Sequence, residues 1–165
     1  MSQPTHIRQI NDDTRGALVD YFRPYQEQIQ FSLRQLNGSS TWAWSLWRAP
    51  EGADLLDSIP FSEEYIQCAG TAEALVIEVR YVDPDGTAHQ YVVGRPGADM
   101  SGEPTEVIHW DDGRHSTTVY PNEVFTADEA AVIFYTYFLT DEVAQPYTLR
   151  EIDMSVPDPT EDDAT

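Results

Sequence analysis

Apolar residues first recur along this chain at helical spacing. Between Asp12 and Gly38, the residues Leu18, Tyr21, Phe22, Tyr25, Ile29, Leu33 and Leu36 fall at intervals of three and four, which predicts an N-terminal helical segment. Pro24 either divides it in two or sits in the first turn of its second piece. Asn37-Gly38 then ends it. The next apolar stretch, Thr41–Trp47, alternates instead, with Trp42, Trp44 and Leu46 on one side and Ala43 and Ser45 on the other. This predicts a short strand whose tryptophans belong to the core, because each buries a large apolar area. Pro50–Gln67 is less regular and reads as a short helix near Asp54–Ser58 with a turn after Ser62.

From Glu73 the period becomes two. Leu75, Ile77, Val79 and Tyr81 alternate with Glu78 and Arg80, the mark of a half-buried strand. Asp83-Pro84-Asp85-Gly86 supplies the turn, with Gly86 suited to a left-handed position. If Asp83 pairs with Thr87, Tyr81 faces His89, Val79 faces Tyr91 and Ile77 faces Val93, so one side of the hairpin is apolar throughout. A second hairpin follows after a Gly- and Pro-rich loop, with strands near Thr105–Asp111 and Arg114–Tyr120. Thr126-x-x-Glu129 is a capping-box signature, and Ala127, Ala130, Ala131, Phe134, Tyr137 and Phe138 form the apolar stripe of a helix over about 126–140. Pro146–Met154 reads as a closing strand. The predicted architecture is α+β: an antiparallel β-meander of about five or six strands, packed by an N-terminal helical segment and a C-terminal helix. One globular domain over 1–155 is expected, followed by an acidic disordered tail over 156–165.

Composition sharpens this picture in one respect. The 165 residues hold 29 acids and nine basic residues, all arginine, for a formal net charge of −20. Without Val156–Thr165, which holds four acids, the remainder still carries −16. Such a charge argues against direct binding to nucleic acid or to an anionic membrane. It agrees with solubility, with electrostatic steering toward a basic protein, or with functional carboxylates. Cys68 is the single cysteine, so no internal disulfide can form. The N-terminus has no apolar signal region, and no run reaches the roughly 18 apolar residues of a membrane span. A cytosolic protein is the expectation.

The chemically richest stretch is His109-Trp110-Asp111-Asp112-Gly113-Arg114-His115. Asp112-Gly113 is a two-residue hairpin signal, which sets Trp110 opposite His115 and His109 opposite Ser116. The two histidines then point to opposite faces and cannot share a metal ion. The same alternation separates Ser116 from His115, which undoes a nucleophile–base arrangement with Asp112. A carboxylate pair drawn from Glu63, Glu64, Glu73 or Glu78 stays open as an acid–base device, although 29 acids make chance pairs common. His89, opposite Tyr81, reads as a hydrogen-bonded core histidine. Asp111 and Arg114 read as an exposed cross-strand ion pair. Trp110 near a hairpin tip has the character of an interface hot spot. The candidate partner-facing residues are therefore Trp110, Asp111, Asp112, Arg114, His115, Glu78 and Arg80, with no catalytic, metal-binding or cofactor-binding residue expected.

Residues 70–155, above all Asn122–Phe138 and Pro146–Asp153, resemble the first-numbered family of immunity proteins of bacterial polymorphic-toxin systems. The resemblance lies in apolar pattern and turn placement. It implies a protein that is not an enzyme and that protects its cell by covering the active site of a cognate toxin, often a deaminase or nuclease with a basic cleft. The family has no universal binding motif to transfer to these positions. A hydrolase using paired carboxylates and an acidic nucleic-acid-mimic adaptor are the alternatives.

Overall fold

The computed structural model describes residues 4–53 and 61–153. Nine strands form two sheets. The larger has the order β2 (Thr14–Ala17), β1 (His6–Ile10), β3 (Ala43–Arg48), β4 (Tyr65–Gly70), β5 (Leu75–Val82), β6 (Ala88–Gly94) and β9 (Thr148–Glu151), with every neighbouring pair antiparallel. The smaller is the hairpin of β7 (Glu106–Trp110) and β8 (His115–Val119). The α+β class and the meander hold, with seven strands in the main sheet and the second hairpin standing apart.

Helices α1 (Tyr25–Arg34) and α2 (Ala127–Thr140) cover one face of the large sheet. They run antiparallel: Tyr25 packs on Phe138 at one end, and Arg34 bonds Asp128 at 2.7 Å at the other. The apolar side of the β5–β6 hairpin meets them, with Ile77, Val79 and Val93 fully buried and Tyr81 and Tyr91 at its margin. Tyr81 lies opposite His89 and Val79 opposite Tyr91, and the turn closes with Asp83 N to Thr87 O at 2.8 Å and Gly86 at φ +90°. The sequence register is reproduced. So is the capping box, where Thr126 Oγ1 accepts from Glu129 N at 3.3 Å and Glu129 Oε1 from Thr126 N at 3.0 Å.

The N-terminal segment departs from expectation. Only Tyr25–Arg34 is helical, and Pro24 stands as its N-cap rather than inside it. Residues 14–17, assigned to the helix by apolar spacing, form an edge strand against β1, after a turn in which Asn11 takes φ +54°. Pairing with β1, itself bonded to β3, satisfies that backbone in a way local spacing does not report. Leu18 is buried from the following loop, whereas Tyr21 and Phe22 are 55% and 95% exposed. In β3 the tryptophans divide: Trp44 enters the main core, Trp47 is buried on the opposite face, and Trp42 precedes the strand. The expected helix at 54–58 and the tail at 156–165 lie outside the described residues.

The β7–β8 hairpin crosses the sheet face away from the helices. Ile108 and Val119 pack there on Val76 and Val92. The crossing is close: a Cβ on Gly70 would sit 3.0 Å from Ile108 Cγ2 and 2.5 Å from Ala74 O, and its φ is +129°. Only glycine fits that position. A 3-10 turn at Pro121–Glu123 leads from β8 back to α2. Its Glu123 is fully buried and accepts Arg150 Nε and Nη2, each at 2.9 Å, and Tyr120 N at 2.9 Å. This bidentate pair ties β9 to the turn that precedes α2.

Candidate functional site

The His109–His115 segment builds a hairpin tip as its register requires. Trp110 pairs with His115 and His109 with Ser116, so the histidines face opposite ways and Ser116 faces away from His115. Arg114 N bonds Asp111 O at 3.0 Å around Asp112 and Gly113, whose φ values are +56° and +81°. Asp111 is also left-handed, at +54°, and the ladder ends at Trp110–His115. The expected Arg114–Asp111 ion pair is present at 3.5 Å.

The tip is not freely presented, however. Asp112 N donates to Gly38 O at 3.0 Å, which docks it on the loop after α1. Trp110 is half-buried against the Val76–Val92 patch, and His115 stacks on it at 6.0 Å with Trp42 at 6.5 Å. Docking and stacking half-bury Trp110 and Asp111, and leave Asp112, Arg114 and His115 exposed.

Glu78 and Arg80 share the face crossed by the hairpin but lie beyond it along β5, past Val76. Glu78 Oε2 accepts Gln67 Nε2 at 3.0 Å and Gln90 Nε2 at 2.8 Å, and Arg80 Nη1 approaches Gln90 Oε1 at 3.5 Å. This polar ladder spans β4, β5 and β6. Farther along the face, Arg15 bonds Gln9 at 2.8 Å and lies over the rings of Trp47 at 5.3 Å and Phe61 at 5.6 Å. Of the four carboxylates considered for an acid–base pair, Glu78 and Glu64 are engaged separately, Glu78 with two glutamines and Glu64 with Val82 N at 3.1 Å.

On the helical side, a cleft of about 260 Å³ opens at the end of α2. Asp141, left-handed at φ +62°, caps the helix there. Its carboxylate takes Arg48 Nε at 2.7 Å and His6 Nε2 at 3.2 Å. His6 is 1% exposed, and burial, outweighing its bond to Asp141, holds its pKa below the ordinary 6.5. Tyr81 and Tyr137 line the cleft, and burial raises both phenol pKa values. Cys68 lies in the core, where burial pushes its thiol up to about 12, so it is no nucleophile near neutral pH.

His89 is hydrogen-bonded as expected but is not a core residue. Its ring, 29% exposed, sits between Asp83 at 2.8 Å and Glu151 at 2.6 Å, whose bonds raise its pKa. Sequence reasoning missed the cleft because its residues come from four places in the chain, at Arg48, Glu64, Tyr81 and Tyr137–Glu142. It also missed the surface aromatics at the start of α1, where Phe22 stands 95% exposed and Arg23 lies 3.9 Å from the ring centre of Phe31.

Among the described residues no group of three or more His, Cys, Asp or Glu could hold a metal ion, and no helix is long and apolar enough to cross a membrane. No family model, curated protein or solved structure matches the chain.

Proposed function

We propose that this chain is a cytosolic immunity-type inhibitor, an acidic α+β domain that binds a cognate toxin and covers a basic active-site cleft. The observation that carries the reading is how the arginines are used. Six of the 29 acids fall outside the described residues, which leaves 23 against nine arginines, a formal charge of −14. Five of those arginines are bonded to carboxylates of the chain itself: Arg34 to Asp128, Arg48 to Asp141, Arg95 to Glu129, Arg114 to Asp111 and Arg150 to Glu123. The surplus carboxylates therefore project a negative field with little cationic relief, suited to a basic cleft and to fast encounter.

The pattern of residues 70–155 supports the same reading through its resemblance to immunity proteins. The contact surface in this reading combines the arginine–aromatic groups with the acidic field, because arginine and aromatic side chains concentrate binding energy. Phe22, Arg23 and Phe31 are its strongest anchors, and Arg114 and His115 contribute from the docked tip.

Co-expression with the product of the neighbouring gene tests this. The expected result is rescue of growth and a stable stoichiometric complex whose association slows steeply as salt is raised. Failure of every neighbouring product to bind, or binding indifferent to salt, would overturn the reading.

A further inference from the structure

The cleft at the end of α2 has an unbalanced charge around its mouth, where Glu64 and Glu142 are exposed. Arg48 and Asp141 cancel, and His6 completes the shell of Asp141 from behind. Two further carboxylates remain on the lining, Glu64 and Glu142. Among the described residues, the Glu64 carboxylate takes only the Val82 amide and the Glu142 carboxylate has no ion pair or hydrogen bond. The C-terminus of α2 adds its own partial negative charge at the same place.

A second observation is independent of charge. Tyr137 is 3% exposed as a residue, and it lies on the cleft wall with no hydrogen bond from its hydroxyl to another described residue. The charges of Asp141 and Glu64 bear on it there. Tyr81 is beside it, its hydroxyl accepting Val143 N at 2.9 Å. The wall thus offers carboxylate and phenol oxygens as acceptors, and two aromatic rings for a cation.

Volume narrows the ligand. About 260 Å³ falls below the roughly 300–1,000 Å³ typical of sites for drug-sized molecules, and is room for one side-chain head group. A planar group with several N–H donors, able to lie against tyrosine, uses this wall better than a compact ammonium.

We propose that the cleft formed by Glu64, Tyr81, Tyr137, Asp141 and Glu142 is a guanidinium-binding pocket. It rests on the inhibitor reading for its occupant, an arginine side chain of the basic partner, but not for the pocket itself.

Titration of the full chain with N-acetylarginine methylamide, followed by amide NMR, tests the pocket. The expected result is saturable shifts centred on Glu64, Tyr81, Tyr137 and Glu142, in the millimolar range. The uncharged citrulline analogue should bind at least about tenfold more weakly. A Glu64→Gln/Glu142→Gln variant should keep the remaining spectrum and lose the shifts, and Tyr137→Phe should weaken them. Equal binding of both probes, shifts centred elsewhere, or undiminished binding by the double variant would overturn the pocket. Arginine-selective binding without any toxin complex would uphold the pocket and remove only the inhibitor reading. In a toxin complex, exclusion of the probe marks a partner arginine as the occupant, whereas undiminished probe binding marks a free guanidinium compound and overturns that assignment.

Discussion

His6 and His89 hold the same kind of partner at two depths. His6 is buried beneath α2 with Asp141 at 3.2 Å, whereas His89 sits at the margin of the sheet with Asp83 and Glu151 at 2.8 and 2.6 Å. At the buried site desolvation, helped by the nearby Arg48, outweighs the bond to Asp141 and lowers the pKa of the ring. At the more exposed site the bonds to Glu151 and Asp83 outweigh desolvation and raise the pKa of the ring. A histidine beside an acid is thus not enough to define its charge. Depth decides the sign.

The largest effect that would break this contrast comes from deletion. His6 stacks on Phe138 at 4.6 Å and bonds both Asp141 and Thr5, so His6→Ala should lower stability by about 2–4 kcal/mol through lost packing and unsatisfied partners. His89→Ala should cost a small fraction of that. Urea unfolding of both variants checks this, and equal losses would mean that depth is not what separates the sites.

Next comes the pH dependence of stability, which follows with opposite signs. The pKa of His6 is depressed in the folded chain, so its contribution is present above pH 6.5 and lost as pH falls through the folded value. That of His89 is raised, so its contribution is complete below pH 6.5 and lost as pH rises through the folded value. Relative to wild type, His89→Gln should therefore be most destabilised in mild acid and recover above pH 6.5. Unfolding midpoints across pH 5–8 measure this, and a constant difference would refute the linkage. Direct titration of the imidazole resonances should place the two histidines on opposite sides of 6.5. The smallest effect belongs to Asp83→Asn, which should lower the pKa of His89 while Glu151 still holds the ring, leaving the unfolding midpoint near that of wild type.

Elements whose determinants are local were legible in the sequence. The capping box at Thr126, the Asp83–Gly86 turn and the Trp110–His115 register each depend on residues a few positions apart. The β1–β2 hairpin was not legible, since its side chains alternate weakly and its place is set by pairing with β3. Strand β4 left a trace, with Ile66 and Cys68 alternating inward against Gln67, but the irregular stretch before it hid the period. The candidate site was legible only at its hairpin tip. His6 and Asp141 lie 135 residues apart, and nothing in either neighbourhood announces the other. Docking of Asp112 on Gly38 likewise turns an apparently free tip into a held one.

The strand order has a consequence in time. Strands β3 to β6 pair in the order in which they are synthesised, each with the one just before it, so four strands of the sheet can assemble by short loop closures. Strand β9 is different: it must wait for the β7–β8 hairpin and α2 before it reaches the flank of β6. Until then Glu123 has no Arg150, and β6 offers an open edge to any other chain. Docking of β9 therefore brings Arg150 to the buried Glu123 and covers that edge of β6 in a single step.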